Sequence, residues 1–309
     1  MPPPQRLMLL DSASMYFRAF HGVPDSVTSP DGLPIGAVRG FFDAVTRMLS
    51  DNPATDLVAC FDDDWRPDWR VALVPEYKAH RVDASASDDF AEEVPDALEP
   101  QVPIIEEMLD AIGICRIGVP GFEADDVIGT LATSSKIPAD IVTGDRDLFQ
   151  LIDDDRGVNV LYIGRGFAKV ERVTNESVQK KYGVPAAAYA DFATLRGDPS
   201  DGLPGVRGVG DKSAAAVINE FPTIEQLLSA LSDTDVLVPF RAKIEAAREY
   251  LERAIVVVRV REDVPMPTLT TAIPTMLADP EKVTFLTERW GLGRSVQRLL
   301  DALGVSRPE

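Results

Sequence analysis

The sequence predicts an α/β fold, with a parallel sheet covered by helices, followed by a second, helical domain. In the first 145 residues, short apolar runs alternate with segments of helical period, which is the pattern of strand–helix–strand units. From about Asn175 the strand signal fades and helical periods dominate. The 309 residues leave room for two domains of roughly 100–200 residues each, which we place at 1–174 and 175–309.

Three predicted strands each end on an aspartate. The apolar runs 7–10, 56–61 and 139–144 lead directly into Asp11, Asp62 and Asp145. The carboxyl ends of the strands in an open α/β sheet form the ligand crevice. We therefore expect these three acids to converge.

The other elements follow from periodicity and turn residues. A helix over 35–49 carries one apolar stripe, and a helix over 103–112 begins at Pro103 and ends at Gly113. The acidic, weakly patterned stretch 83–103 predicts a mobile excursion. Further predicted elements are a strand at 114–117, a helix beginning near Glu123, a hairpin of 158–163 with 168–173, and helices at 186–195, 212–220, 224–231, 240–260 and 296–303.

Composition limits the class of protein. The 45% hydrophobic and 26% charged residues are those of a globular chain, which rules out a collagen-like rod or a disordered acidic protein. The net charge of -19 argues at first sight against a nucleic-acid partner. The beginning of the chain does not resemble a signal peptide, and no apolar run approaches the ~20 residues of a membrane span. Cys60 and Cys115 lie in apolar runs, so we expect buried thiols in a cytoplasmic protein that uses no membrane.

Acidic residues also cluster at 123–126, 145–147 and 198–201, where each cluster opens a predicted helix. One explanation is helix capping, worth ~0.5–1 kcal/mol at each site. Together, however, these acids would face one crevice with no lysine among them. Like charges ~4 Å apart repel by about 4 kcal/mol at an effective dielectric constant near 20, so the crevice needs cations.

Oxygen ligands without His or Cys favour hard divalent ions, Mg²⁺ or Mn²⁺. Two such ions ~3.5–4 Å apart can hold a scissile phosphate and activate a water molecule. The chain has only two histidines, His21 and His80, which are too few for a general-base network. The expected nucleophile is therefore a metal-bound hydroxide.

The stretch 202–213 is rich in glycine and ends with Lys212 and Ser213. Glycine allows backbone N–H groups to approach a phosphate where a helix begins. The spacing around Lys212 is not that of a nucleotide-binding P-loop. The order of residues matches the hairpin of a helix-hairpin-helix element, which holds one DNA strand without reading bases. The alternative is an ordinary glycine-rich turn.

Arg70, Lys78 and Arg81 follow the Asp62 strand and place cations beside the acidic crevice. They are either a solvated basic face or the groups that attract and orient a phosphate. In the second case, local cations and metal ions bind DNA although the net charge is negative, and binding falls steeply with salt.

These residues together resemble one family. The segments are Asp11, 18–21, Asp62, 77–81, 121–126, 143–147 and 197–201. In this order they resemble the bacterial 5′ nuclease or flap endonuclease family, which includes the 5′-3′ exonuclease domain of DNA polymerase I. The resemblance covers roughly residues 6 to 290 and is closest to the stand-alone form without a polymerase.

The resemblance implies a PIN-like domain at 1–174 with a helical arch at about 77–103, and a helix-three-turn-helix at about 186–222 within 175–309. It implies two-metal hydrolysis of DNA phosphodiesters at 5′ flaps, nicked or gapped duplexes and 5′ ends, in replication and repair. The implied partners are DNA and replication or repair proteins, and the implied protein is a nucleoid-associated cytoplasmic monomer.

The resemblance also implies the site residues. Lys78, Arg81 and Asp125 are the implied catalytic residues. The implied ligands of one Mg²⁺ or Mn²⁺ ion, partly through water, are Asp11, Asp62, Glu123 and Asp125, and those of the second are Asp126, Asp145, Asp147 and Asp201, with Asp198 in the outer shell. The implied DNA contacts are Arg18, Arg70, Lys78, Arg81, Gly205, Gly208, Gly210, Lys212 and Ser213, with a K⁺ ion at Val206, Val209 and Ser213.

The sequence departs from the family pattern at three places. Gly202 follows Asp201 where an asparagine is common, and the arch region 82–99 is acidic rather than basic or aromatic. Trp65 and Trp69 are additional: they either stack on bases, for ~1–3 kcal/mol each, or anchor the arch.

Two rival interpretations stay open at this stage. One is a DNA-junction binder with a vestigial metal site, although no acid of the set is missing. The other is a metal-dependent phosphatase of small molecules, which would leave the 197–213 hairpin without a purpose.

Overall fold

The computed structural model describes residues 5–82 and 92–305. Its centre is a six-stranded sheet in the order β3-β2-β1-β4-β5-β6. The strands are β1 (Leu7–Asp11), β2 (Asp56–Cys60), β3 (Cys115–Ile117), β4 (Ala139–Thr143), β5 (Asn159–Tyr162) and β6 (Glu171–Val173). All neighbours are parallel except β5 and β6, which form the predicted antiparallel hairpin.

Helices cover both faces of the sheet, as the alternating pattern predicted. The helices of the first part are α1 (Ser12–Gly22), α2 (Gly36–Asp51), α3 (Asp68–Leu73), α4 (Val102–Ile112) and α5 (Ala124–Ser134). Those of the second part are α6 (Asn175–Tyr182), α7 (Tyr189–Arg196), α8 (Asp211–Glu220), α9 (Ile224–Ala230), α10 (Arg241–Ala246), α11 (Arg248–Val258), α12 (Pro280–Trp290) and α13 (Gly293–Leu303). One apolar core lies between the sheet, α2, α4 and α13, and the other joins the opposite face to α5, α7, α8 and α11.

The helical part differs from the prediction in two respects. The helix expected at 240–260 is interrupted at Ala247, which separates α10 from α11. Helices α6 and α12 of this part were not predicted, and neither were α1 and α3 of the first part. Helix α12 packs on α4 and α13 packs on α2, so the end of the chain returns to the sheet. The division at 174/175 stays a prediction.

The excursion expected at 83–103 is wrong for its last residues, while residues 83–91 lie outside the described part. Leu98 and Gln101 are buried. The Gln101 Oε1 atom accepts hydrogen bonds from the backbone N–H groups of Ala37, at 2.8 Å, and Val38, at 3.4 Å. This amide serves the first turn of α2, which ties the segment to the core.

Cys60 is buried and Cys115 is half-buried, and both are free thiols. Among the described residues, no helix has the length and apolar character that a membrane span requires.

Candidate active site

The three strand-end aspartates meet at one edge of the sheet, as predicted. Strands β2, β1 and β4 are neighbours, so Asp62, Asp11 and Asp145 reach the same pocket of about 350 Å³. Glu123 and Asp125, from the start of α5, line it too. Acids from four distant parts of the chain therefore share one cavity.

Several of these acids also hold the backbone that positions them, so the capping interpretation is correct in part. Asp11 caps α1 by accepting from Ser14 N at 3.1 Å. Asp62 accepts from Ala124 N at 2.8 Å, which joins the end of β2 to the start of α5. Thr143, which we did not single out, donates its hydroxyl to Asp11 at 2.6 Å and accepts from Asp145 N at 2.8 Å. The sequence feature that could have indicated this role is the position of Thr143, two residues before Asp145 at the end of the strand.

Glu123 is held by cations, contrary to the expectation that no lysine lies among the acids. Lys78 Nζ donates to Glu123 Oε2, and Arg70 lies 3.0 Å from Oε1. Tyr77, which lies in the segment 77–81 of the resemblance but had no predicted role, donates its hydroxyl to Oε1 at 2.9 Å. Burial opposes the charge of Glu123, but Lys78 and Arg70 outweigh it and lower its pKa.

The base of the predicted arch is fixed to the turn at 198–202. Lys78 adopts a left-handed backbone conformation, with φ of 49°, which is strained for a residue other than glycine. Its N–H donates to the carbonyl of Asp201 at 2.9 Å. Gly202 has φ of 74°, and a Cβ there would overlap the carbonyl of Glu76. This close approach explains why glycine, rather than asparagine, follows Asp201.

A second group of acids lies beside the pocket. Asp147 N donates to Asp145 Oδ1 at 2.8 Å, and Asp201 accepts from Arg81 at 2.9 Å. Asp198 accepts from Ser200 N at 2.9 Å. The buried Oδ1 atom of Asp147 has no hydrogen-bond partner among the described residues. An unpaired buried carboxylate oxygen is costly, and a cation would satisfy it.

Most of these acids have raised pKa values. Burial and neighbouring negative charges raise the pKa of Asp62 to about 7 and that of Asp201 to about 6. The same two causes raise the pKa values of Asp125 and Asp147 well above the ordinary value. The site therefore carries more negative charge than its own cations neutralise.

The donor set fits hard divalent ions, because it consists of carboxylate oxygens, one of them unpaired. Within the described residues, however, no three acids or other ligand side chains are placed as a group that could hold one ion. Both oxygens of Glu123 are already hydrogen-bonded. Rearrangement of side chains or bridging water would accompany ion binding.

Two predicted site residues are wrong for a single reason. Asp126 is fully buried and forms two hydrogen bonds with the Arg70 guanidinium, at 2.7 and 2.9 Å. Arg70 is 2% exposed. Asp126 therefore does not line the pocket as a metal ligand, and Arg70 cannot contact DNA, because each satisfies the other inside the protein.

Aromatic and basic residues form the rest of the pocket wall. Arg18, a predicted DNA contact on α1, lines the pocket together with Phe17, His21 and Trp65. Phe17 and His21 share one face of α1; His21 lies in the segment 18–21 that carries the family resemblance, but neither residue had a predicted site role. Trp69 donates its ring N–H to the Gly121 carbonyl at 3.2 Å, which favours the anchoring role for this tryptophan.

The glycine-rich loop joins α7 to α8, which pack together. Gly205 and Gly208 have φ of 66° and 77°, a region that favours glycine. The side chains of Val206 and Val209 are buried, Ser213 is half-buried, and Gly210 and Lys212 are exposed. The structure adds Lys243, which donates to the Gly208 carbonyl at 3.2 Å.

Two family models match the chain. The 5′-3′ exonuclease N-terminal resolvase-like domain matches residues 6–183, and the 5′-3′ exonuclease C-terminal SAM fold matches residues 184–281. The chain belongs to the 5′-3′ exonuclease family. The resemblance inferred from the motifs is confirmed, and so is the predicted combination of an α/β nuclease domain with a helical one.

Curated relatives agree with this assignment. A 5′-3′ exonuclease of Streptomyces coelicolor is 54% identical over 300 residues, covering 96% of this chain and 99% of that protein. One from Mycobacterium tuberculosis is 49% identical over 310 residues, covering 96% and 97%. DNA polymerase I of Mycobacterium bovis is 44% identical over 226 residues, which cover 72% of this chain and 24% of the polymerase.

Solved structures show the same fold at low identity. A T5 5′-exonuclease with bound divalent zinc ions superposes with a TM-score of 0.63 at 16% identity, covering 97% of this chain and 100% of that one. The catalytic core of Rad2 in complex with a DNA substrate gives 0.59 at 20% identity, covering 97% and 93%.

Proposed function

We propose that this protein is a structure-specific 5′ nuclease, which hydrolyses DNA phosphodiesters at 5′ ends, 5′ flaps and nicked or gapped duplexes. The observation that carries the proposal is the convergence of Asp11, Asp62, Glu123, Asp125 and Asp145 on one pocket beside Lys78 and Arg81. Family membership supports it, since relatives across nearly the whole length are named 5′-3′ exonucleases.

The metal ions proposed are two or more Mg²⁺ or Mn²⁺. The residues that would hold one are Asp11, Asp62, Glu123 and Asp125, and those that would hold another are Asp145, Asp147 and Asp201, with Asp198 outside them. When bound, such ions lower the pKa of a water molecule and neutralise charge on the phosphate. The unpaired Asp147 Oδ1 atom supports this assignment.

Lys78 and Arg81 are the proposed phosphate-orienting residues. Lys78 Nζ lies between Glu123 and the Trp65 carbonyl, which it contacts at 3.3 Å. From this position its ammonium group can donate to a phosphate oxygen that enters the pocket. Arg81 donates to the Ser200 carbonyl at 2.7 Å, and it also faces the pocket.

The loop between α7 and α8 is the proposed helix-three-turn-helix grip on the duplex. Gly205, Gly208 and Gly210 would allow the backbone to approach phosphates, and the exposed Lys212 adds positive charge. The carbonyls of Val206 and Val209, together with Ser213, are the proposed K⁺ ligands. Arg18 would meet the strand inside the pocket.

The proposed setting is the bacterial nucleoid, where the protein would act as a monomer on DNA beside replication and repair proteins. This part of the proposal rests on the family resemblance alone.

The test compares a labelled 5′-flap duplex with a generic phosphomonoester, each with Mg²⁺ and with EDTA. Short 5′ products from the flap alone, abolished by EDTA, are the expected result. Hydrolysis of the phosphomonoester would favour the small-molecule phosphatase. Flap binding without cleavage in Mg²⁺ would favour the junction binder with a vestigial site.

A further inference from the structure

Arg70 is a buried cation at the base of the predicted arch. It lies in α3 and is 2% exposed. An arginine is almost never fully buried unless its charge is paired. Its partners therefore show what the fold requires of it.

On one side, Arg70 holds the beginning of α5. One guanidinium nitrogen lies 3.0 Å from Glu123 Oε1, and two bind the Asp126 carboxylate at 2.9 and 2.7 Å. Glu123 is in turn bound by Tyr77 and Lys78 from the arch base. The position of Lys78 in the pocket is thus set through Glu123.

On the other side, Arg70 reaches the helical part of the chain. Its Nε atom donates to the Val257 carbonyl in α11 at 3.2 Å. The Asp126 Oδ1 atom, which Arg70 binds, also accepts from Arg261 N at 2.8 Å. A Cβ on Gly129 would lie 2.6 Å from the Arg261 carbonyl, so α5 and this segment are in close contact.

We propose that Arg70 is a positioning residue that ties the C-terminal end of α11 to Glu123 and Lys78 in the pocket. This inference rests on the proposed function, because it assigns a task to Arg70 in that same site. The planar guanidinium can serve Glu123, Asp126 and Val257 at once, in fixed directions. A lysine keeps the charge but is a single point donor, so Arg70→Lys separates geometry from charge.

Arg66 offers a matched control in the same segment. It is buried too, but its side chain donates to the backbone carbonyls of Tyr77, at 2.6 Å, and Pro75, at 2.9 Å. Arg66→Lys therefore removes a buried guanidinium that itself contacts neither Glu123, Asp126 nor Val257.

The experiment measures steady-state cleavage of a 5′ flap, flap affinity in EDTA, and amide hydrogen exchange. We expect Arg70→Lys to lower kcat by about 10- to 100-fold, while KM and affinity change by less than about 3-fold, because positioning affects the transition state. Hydrogen exchange should rise both at 77–81 and at 257–261. Arg66→Lys should lower kcat by less than about 3-fold and leave exchange at 257–261 unchanged.

Asp126→Asn is the second variant, which carries the test if Arg70→Lys does not fold. It keeps the size of the side chain and should show the same pattern with a smaller effect. The proposal would be overturned if Arg70→Lys and Arg66→Lys lost kcat equally at an equal loss of Tm. It would also be overturned if hydrogen exchange at 257–261 stayed unchanged in both Arg70→Lys and Asp126→Asn. A wild-type protein that cleaves no flap would refute the proposed function, while hydrogen exchange would still decide whether Arg70 ties the two segments.

Discussion

The carboxylates on the two sides of the acidic pocket differ in their hydrogen-bond and ion-pair partners. On one side, Glu123 is bound by the cations Lys78 and Arg70 and by the Tyr77 hydroxyl, and these partners lower its pKa despite burial. On the other side, Asp147 has an unpaired buried oxygen, and burial with nearby carboxylates raises its pKa well above the ordinary value. Both are buried acids near one cavity, but among the described residues two cations bind Glu123, whereas the Oδ1 atom of Asp147 has no hydrogen-bond partner.

The difference locates the need for external cations. A buried charge that has lost or never had a partner costs several kcal/mol. Among the residues that the structure describes, the fold provides partners for both oxygens of Glu123 but none for the Oδ1 atom of Asp147. We therefore expect divalent ions to contribute most to stability and chemistry on the Asp145–Asp147 side, if they bind there as proposed.

The largest expected effect is on cleavage. Asp147→Asn should slow single-turnover flap cleavage by about 1,000-fold, because it removes a charge that would hold a metal ion. Flap affinity measured in EDTA should change by less than about 3-fold. The exposed Asp155→Asn is the matched control and should cleave at the wild-type rate. A fast Asp147→Asn variant would remove this residue from the metal site.

The next largest expected effect is on thermal stability, which should differ between variants on the Glu123 side and on the Asp147 side of the pocket. Glu123→Gln breaks a buried ion pair and should lower the Tm of the metal-free protein by about 5–10 °C. Asp147→Asn removes a buried charge without a partner, so its metal-free Tm should stay unchanged or rise by about 1–3 °C. Thermal unfolding in EDTA checks both. Equal destabilisation of the two variants would show that the sides do not differ in the way described.

The raised pKa values predict how pH changes metal-free stability. The pKa of Asp62 is raised from 3.8 to about 7 and that of Asp201 from 3.8 to about 6. The folded state therefore binds more protons than the unfolded state between these values, and stability falls as pH rises through about 4 to 7. Tm in EDTA should be higher near about pH 5 than near about pH 8. Asp62→Asn should reduce this difference, and an unchanged difference would argue against Asp62 as its source.

The smallest expected effect lies away from the acids, at the glycine-rich loop. Lys212→Ala should weaken binding of duplex DNA by about 2- to 5-fold and reduce the slope of log affinity against log salt by about 1. Single-turnover cleavage at saturating protein should stay unchanged. The exposed Lys169→Ala serves as the control. Slower chemistry in Lys212→Ala would mean that this loop acts on the pocket and not only on the duplex.

Local patterns predicted the strands and the acids that follow them. The positions of Asp11, Asp62 and Asp145 depend on where apolar runs end, which is visible in the sequence itself. The loop at 202–213 was found for the same reason, since glycine and proline identify a turn.

Side-chain partners far apart in the chain could not be predicted in this way. Asp125 and Asp126 are adjacent acids in the first turn of one helix, and their different roles depend on how α5 is rotated. Asp126 points inward because Arg70 lies there, 56 residues earlier in the chain. Lys78 lines the acidic pocket and has a left-handed backbone conformation, and nothing in the residue type indicates that conformation.

Helix α12 was missed because its apolar pattern is short: only Val283 and Leu286 are buried within it. The position of α12 is fixed by its packing on α4, which is distant in sequence. The buried Gln101 was not predicted for a similar reason. The residues around it are acidic, and its hydrogen bond to the backbone N–H of Ala37 in α2 is not local in sequence.

The most direct test of the central claim is anomalous electron density after a crystal is soaked in Mn²⁺. We expect at least one ion within coordination distance of Asp147 Oδ1 and a carboxylate of Asp145 or Asp125, with the Glu123–Arg70 pair intact. Ions that bind only elsewhere on the acidic surface, with that edge of the sheet left empty at saturating Mn²⁺, would contradict the account.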